Sequence, residues 1–392
     1  MTTEQRTDEQ VDNDLRATFP ASDPSASTPV VGVGSPAGRG MPAREHGTPK
    51  FGFALSSEES APMALVHQAV LAERAGFDFL SISDHFHPWV SAQGNSPFVW
   101  SVIGGVAAKT DRVMLGTGVT CPILRIHPAI IAHAASTAAA MMEGRFYLGL
   151  GTGEALNEQV VGVRWPSARE RLDRLEEAIE IIQRLFTGEK VNHDGHYYTV
   201  SDARLFTRPA NPPRMLVAAA APASARLAAS VDGLIATGPD EEVFEAFESA
   251  GGREKPRIGQ ITVCWDEDEQ RAKETARQQW PETILNWDSR SAIPTPETFE
   301  DATQKVTVDD VAEHIICGAD AGRIVDAAQT TAARASTISI STRYPAAIVH
   351  RSGPGSAAAQ TAGDHCSYAP LIVAALDRGM RARDEGSPEH MQ

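Results

Sequence analysis

From Phe51 onward the chain alternates short apolar runs with longer amphipathic stretches, and this alternation limits the possible folds more than any other feature. The runs read as strands buried on both faces. The stretches between them read as helices crossing back over a sheet, the pattern of parallel β/α units. Candidate strands are 51–55 (FGFAL), 77–83 (FDFLSIS), 112–119 (RVMLGTGV), 145–151 (RFYLGLG), 214–220 (RMLVAAA), 233–237 (GLIAT) and 257–264 (RIGQITVC). Eight such units close into an α/β (β/α)8 TIM barrel, which leaves one strand to find; an open doubly wound sheet is the competitor. In "ARERLDRLEEAIEIIQRLF", Leu172, Leu175, Ile179, Ile182 and Phe186 recur at spacings of three and four and mark one buried helical stripe. "KVNHDGHYYTV" carries Asp194-Gly195 between β-type runs, so a small hairpin is expected as an insertion in the barrel.

A chain of 392 residues with 42% hydrophobic content can bury a large core. Its 51 acidic and 35 basic residues give a net charge of −16, which disfavours nucleic acid or an anionic membrane as a partner and points to small-molecule chemistry. Cys121, Cys264, Cys317 and Cys366 are far apart and form no paired motif, which fits a reducing cytoplasm. Residues 1–49 are rich in Pro, Ser, Thr and Gly and lack the apolar core of a signal peptide, so they read as a disordered tail. No run has the ~18 apolar residues of a membrane span, and a soluble protein is expected.

In a barrel the loops after the strands carry function, so each exit can be read in turn. Strand two runs out into Asp84-His85-Phe86-His87-Pro88-Trp89, strand three into "GTGVTCP" and strand four into "GTGEALNEQ". His85 and Glu154 are titratable groups of different reference pKa on adjacent exits, as a proton donor and acceptor pair requires. Trp89 could wall a flat conjugated ring, and Asn157 adds a donor and an acceptor. Gly151 and Gly153 allow close backbone approach to an anion or ring carbonyl. In "AAAAPASARLAAS", Pro222 suits a first helical turn, and the free N–H groups around Ala223 and Ser224 make a phosphate seat. Plainer roles compete: His85 and His87 as hydrogen-bonded structural histidines, Glu154 as a cap on the following turn, Trp89 as core. The His85-x-His87 spacing also suits a metal, but later exits supply no further histidine ligands.

The stretches "SDHFHPW", "LGTGVTCP", "FYLGLGTGEALNE" and "RLDRLEEAIEIIQRLFTGEKVNHDGHYY" together resemble the bacterial luciferase-like superfamily, in its branch around F420-dependent glucose-6-phosphate dehydrogenase. The likeness covers roughly residues 51 to 333. It implies a barrel that binds the deazaflavin coenzyme F420 at its mouth, commonly as a homodimer, with FMN as the alternative cofactor. By the resemblance His85 is the active-site histidine, Glu154 the second acid/base residue, and Trp89 a stabiliser of the reacting intermediate. Asp84, Thr152, Gly153 and Asn157 fall on cofactor-contacting positions, Gly118-Val119 on a non-proline cis peptide that supports the ring face, and Cys121 in place of a cofactor-contacting threonine. The cofactor phosphate turn, Gly-Gly in the sugar-phosphate enzyme, reads Ala220-Ala221. That enzyme seats its substrate dianion on two lysines and an arginine. Here one lysine position reads Asp240, the arginine position reads His314, and only Arg290 could replace the other lysine. A carboxylate beside a dianion is repulsive, so glucose 6-phosphate is not the expected substrate. An F420-dependent oxidoreductase acting on an unphosphorylated alcohol, carbonyl or activated alkene is the leading expectation, with an FMN-dependent monooxygenase and a catalytically silent cofactor-binding protein as alternatives.

The family's last strand should read approximately "GFDHLYIHQVGP", yet this chain has "STISISTRYPAAIVHRSGPG". Codons for Ala335 to Arg343 read two bases on permit G-F-D-H-L-D-I-H-Q, so a shift of reading frame would explain this end, with a true divergent tail as the alternative. Domains are then 1–49 tail, 50–345 barrel and 346–392 atypical segment, although "TISISTRY" still alternates and can pair as a strand. The gene around codon 334 should show a single-base indel whose correction restores "GFDHL"; absence of any such indel removes the idea.

Overall fold

The computed structural model describes residues 50–236, 240–332, 335 and 337–343. Seven expected strands are present: β1 (Lys50–Leu55), β2 (Phe79–Ile82), β3 (Met114–Thr117), β4 (Phe146–Leu150), β7 (Arg214–Ala218), β8 (Gly233–Ala236) and β9 (Arg257–Cys264). An antiparallel hairpin of β5 (Val191–Asp194) and β6 (Thr199–Ala203) precedes β7, as the Asp194-Gly195 signal required. A two-residue strand β10 (Ile316–Cys317) pairs along the end of β9. The missing eighth strand is β11 (Thr337–Arg343), formed by the alternating "TISISTR".

All barrel pairings are parallel, and the ring closes as β1-β2-β3-β4-β7-β8-β9-β11-β1. An open sheet is thereby excluded. Four expected strands, 77–83, 112–119, 145–151 and 214–220, overrun the observed β2, β3, β4 and β7. β2 stops at Ile82 because Ser83 turns to bond the β1 exit, and β3 stops at Thr117 because the next peptide, Gly118–Val119, is cis. β7 stops at Ala218 because Ala221 already caps a helix. The tail 1–49, the segment 346–392 and Cys366 lie outside the described residues.

Helices α1 (Pro62–Ala75), α2 (Val99–Ala107), α3 (Pro128–Met141), α4 (Ala155–Glu158), α5 (Ala168–Phe186), α6 (Pro222–Ser230) and α7 (Glu241–Phe247) connect the strands in turn. α5 starts where the Ser167 hydroxyl accepts the Glu170 N–H, and it buries Leu175, Ile179, Ile182 and Phe186, with Leu172 partly covered. Among the described residues, no helix is long and apolar enough to cross a membrane.

Strand alternation sends one set of side chains outward under the helices, where Phe53, Leu80, Leu115, Leu148 and Val217 belong to the main core. The alternate set, Phe79, Tyr147, Leu216, Ile235 and Ile258, forms a separate cluster inside the ring. Those rings fit only because their partners lack side chains. A Cβ on Gly52 would stand 2.2 Å from the Phe79 ring, and one on Gly116 would stand 2.2 Å from the Tyr147 ring. Gly116→Ala should therefore cost ~1–3 kcal/mol in urea denaturation. Gly104→Ala, in helix α2 with open space around it, should be neutral or stabilising by up to ~1 kcal/mol. Equal stabilities for the two variants would contradict this packing.

Candidate active site

The β2 exit carries His85, and its environment is built from the β1 exit. Ser57 donates from its amide to Ser83 Oγ at 3.0 Å and from its hydroxyl to the Ser83 carbonyl at 2.8 Å, which ties the two exits together. Buried Glu58 follows, and its Oε2 accepts from Ser83 Oγ at 2.7 Å and Ser56 Oγ at 2.9 Å. Its Oε1 lies 3.3 Å from His85 Nε2, while His85 Nδ1 lies 3.2 Å from the His87 carbonyl. Each ring nitrogen of His85 thus has an oxygen within reach, the Glu58 carboxyl on one side and the His87 carbonyl on the other. The Trp89 ring, centroid 4.9 Å from that of His85, walls the other side. His87 turns away and sets Nδ1 3.0 Å from the Leu156 carbonyl, the supporting role that competed with metal ligation.

The β4 exit carries the second acid. Glu154 occupies the cap position of α4 but makes no capping bond; its Oε2 instead accepts from Asn157 Nδ2 at 3.2 Å. Asn157 Oδ1 accepts the amides of Phe86 at 2.9 Å and His87 at 3.3 Å. One buried asparagine thus joins the loop bearing His85 to the one bearing Glu154.

Asp84 is buried and committed within the protein: Arg125 Nη2 donates to its Oδ1 at 2.8 Å, and the Thr120 hydroxyl closes on its Oδ2. Glu158 faces the same guanidinium, its Oε1 being 3.5 Å from Arg125 Nε. Burial pushes its carboxyl up to about 7, against the downward pull of the Arg125 and Leu124 backbone amides and the Arg125 charge. Cys121 lies among these groups; burial first, and then the Glu158, Glu154 and Asp84 charges, hold its thiol well above the ordinary range, so it is an uncharged wall residue. Gly118–Val119 is the cis peptide that the resemblance implied. Gly153 has φ +72°, where a side chain would be strained and would press on Glu158 Cγ at 2.9 Å, and Thr152 beside it is half-buried. Ala220 and Ala221 are exposed ahead of α6, whose first turn holds Ala223 and Ser224; Ala221 supplies no side-chain cap, and Ser224 Oγ donates back to the Ala221 carbonyl at 2.9 Å.

Three features escaped the sequence reading. Glu58 lay in "SSEES", where a buried carboxylate looks like a solvated turn. Arg125 sat unremarked in "TCPILRIHP", although a lone basic residue in an apolar exit loop was a usable signal. The third is the roof, made by α8 (Glu269–Gln279), α9 (Trp287–Ala292), α10 (Pro296–Thr303) and α11 (Val308–Ala312), all between β9 and β10. Trp89, Val90 and Leu156 join its apolar cluster with Trp280 and Phe299. Gln93 pins the β2 exit to it, accepting the Trp89 amide at 2.7 Å and donating to the Gln279 carbonyl at 2.8 Å. Arg290 stands 5.3 Å from the Trp89 ring centroid and 5.2 Å from that of Trp287. Asp240 and His314 are both exposed, and Asp240 caps α7 through the Glu242 amide.

A closed parallel barrel with titratable groups gathered on its strand exits is the architecture of a TIM-barrel enzyme. The match to a family described as luciferase-like monooxygenase, over residues 48–337, is specific, and the chain belongs to this family. It is 38% identical over 298 residues to the F420-dependent glucose-6-phosphate dehydrogenase of Kineococcus radiotolerans, covering 72% of this chain and 88% of that one. The enzyme of the same name from Nakamurella multipartita is 35% identical over 294 residues, covering 72% and 86%. Among solved structures, an F420-dependent secondary alcohol dehydrogenase in complex with an F420-acetone adduct superposes with a TM-score of 0.74 at 25% identity, covering 84% of this chain and 99% of that one.

Glu158 generates a pH prediction. Its carboxyl is raised from an ordinary 4.5 to about 7, so between those values the folded state holds a proton that the unfolded state has released. The stability this contributes is complete below 4.5 and is lost as pH rises through 7. Glu158→Gln removes the effect, so its melting temperature should fall less than the wild type's between these pH values, at roughly 2–4 °C per kcal/mol relieved. Parallel pH profiles for the two proteins would refute it.

Proposed function

We propose that the chain is an F420-dependent oxidoreductase acting on an unphosphorylated alcohol, carbonyl or activated alkene. The observation that carries this reading is the Glu58–His85 pair walled by Trp89, with Glu154 tied to the same loop through Asn157. The residues at the barrel mouth fit the cofactor: α6 opens without a side-chain cap, so the first-turn amides around Ala223 and Ser224 suit its phosphate. Gly118, Val119, Cys121, Thr152 and Gly153 would lie against its ring. Bound there, F420 would supply the hydride chemistry.

The protein then has one proton to manage. Reduction of a carbonyl adds a hydride at carbon and a proton at oxygen, and oxidation of an alcohol gives both back. In this reading His85 Nε2, beside Glu58 Oε1, handles the proton at one end and the Glu154 carboxyl at the other. The roof packs its apolar cluster on Trp89, beside buried His85. Of the three positions that seat a phosphate dianion in the sugar-phosphate enzyme, this chain offers only the Arg290 cation, with an acid at Asp240 and an exposed imidazole at His314. This supports a substrate without a phosphate. We also read the protein as a homodimer: Phe98, Ile130 and Met141 are exposed around a groove between α2 and α3, apolar area that a second copy would cover.

Titration of purified protein with F420 and with FMN tests the cofactor, and tight FMN binding with none for F420 overturns the reading. A panel of alcohols, carbonyls and enones then tests chemistry; F420 binding with no turnover of any of them favours a silent binding protein. His85→Ala and Glu154→Gln should each lower turnover ~10²-fold while leaving F420 affinity nearly unchanged.

A further inference from the structure

Arg125 sits between two carboxylates that the proton chemistry does not use. Its side chain is 8% exposed, and those of Asp84 and Glu158 are both 0% exposed. Nη2 donates to Asp84 Oδ1 at 2.8 Å and to the Asp84 carbonyl at 3.2 Å, while Nε faces Glu158 Oε1 at 3.5 Å. Glu158 Oε2 accepts the amides of Leu124 at 3.2 Å and Arg125 at 2.8 Å. The three charged residues come from three consecutive exits, those of β2, β3 and β4.

Burying two acids against one base is a poor way to gain stability, because each ion loses its hydration and the charges do not balance. What the arrangement does provide is position. Asp84 directly precedes His85. Glu158 directly follows Asn157, the residue that accepts the Phe86 and His87 amides and donates to Glu154. The guanidinium donates to Asp84 and pairs electrostatically with Glu158, whose other oxygen accepts the Leu124 and Arg125 amides, so displacement of either exit breaks a directional contact to the β3 exit.

We propose that Asp84, Arg125 and Glu158 form a positioning bridge that sets the β2 exit against the β4 exit, and so sets His85 against Glu154. The proposal rests on the acid/base reading of those two residues. Its geometric part, the locking of the two exits, is measurable without turnover.

The test is amide hydrogen exchange on the full chain without cofactor, read at Phe86 and His87, with melting temperature measured in parallel. Arg125→Met should lower protection at both amides by about tenfold or more and lower the melting temperature. Adding Glu158→Gln to that variant removes the stranded acid, so the melting temperature should recover while protection stays lost. Recovery of both together would make the bridge a stability element and overturn the proposal. Should Arg125→Met fail to fold, Glu158→Gln alone should lower protection at these amides about threefold with no fall in melting temperature, and unchanged protection overturns the proposal equally. Failure of the wild type to bind or turn over F420 would sink the functional reading, but it would leave the exchange result standing, so the two failures are distinguishable.

Discussion

The parallel ladder that runs from β9 through β11 to β1 is the constraint on which the rest depends. β11 contributes seven register positions against β9 and five against β1, and through them the sheet becomes a ring. Only a ring brings every strand exit to one rim, and only there can the β1 exit deliver Glu58 to a histidine on the β2 exit. Backbone pairing demands little of the side chains. That is why a strand reading "TISISTR" can close a barrel whose family expects a different sequence in that place.

The ring also fixes how the interior is filled. Phe79 and Tyr147 occupy the space left by Gly52 and Gly116, so strand alternation, glycine placement and barrel curvature are one problem with one solution. Above that layer the side chains change character. Ser57, Glu58, Asp84, His85, Asn157 and Glu158 are all buried polar groups at the rim, and each spends its hydrogen-bonding capacity on another exit loop. Polar groups removed from water must find partners, so the rim is stiff for the same reason that it is costly.

Much of this was legible in the sequence, for reasons that can be named. Seven strands were visible because parallel strands buried on both faces are continuously apolar, and α5 was visible because its stripe repeats at helical spacing. His85, Trp89, Glu154 and Asn157 stood out as chemistry placed where strands end. Glu58 and Arg125 did not, because nothing local to "SSEES" or "TCPILRIHP" says that a charge will be buried; the burial comes from exits that lie far away in the chain. The roof was hidden for another reason. Its helices are short and begin at local caps such as Asp268, Asn286, Thr295 and Thr307, and its apolar residues make a cluster only when Trp89 and Leu156 complete it. Ala220 and Ala221 show the limit of reading by position: the turn ahead of α6 forms with two methyl groups where the sugar-phosphate enzyme has none.

The distribution of charge at the rim bears on the choice of substrate. Asp84, Glu158, Glu58 and Glu154 stand on three exits, those of β1, β2 and β4, and the buried cation Arg125 is already held by two of the acids. Arg290 lies over both Trp89 and Trp287 and presents a delocalised charge to aromatic faces. Carboxylates on three exits are repulsive to a phosphate dianion brought among them. A neutral hydroxyl, ketone or enone, the substrate class proposed above, meets no such barrier, and Trp89 and Cys121 are apolar walls suited to it. The proposed preference for an unphosphorylated substrate thus draws on the same buried carboxylates that join the exits, and replacing Asp240 alone with lysine would not by itself create a sugar-phosphate site.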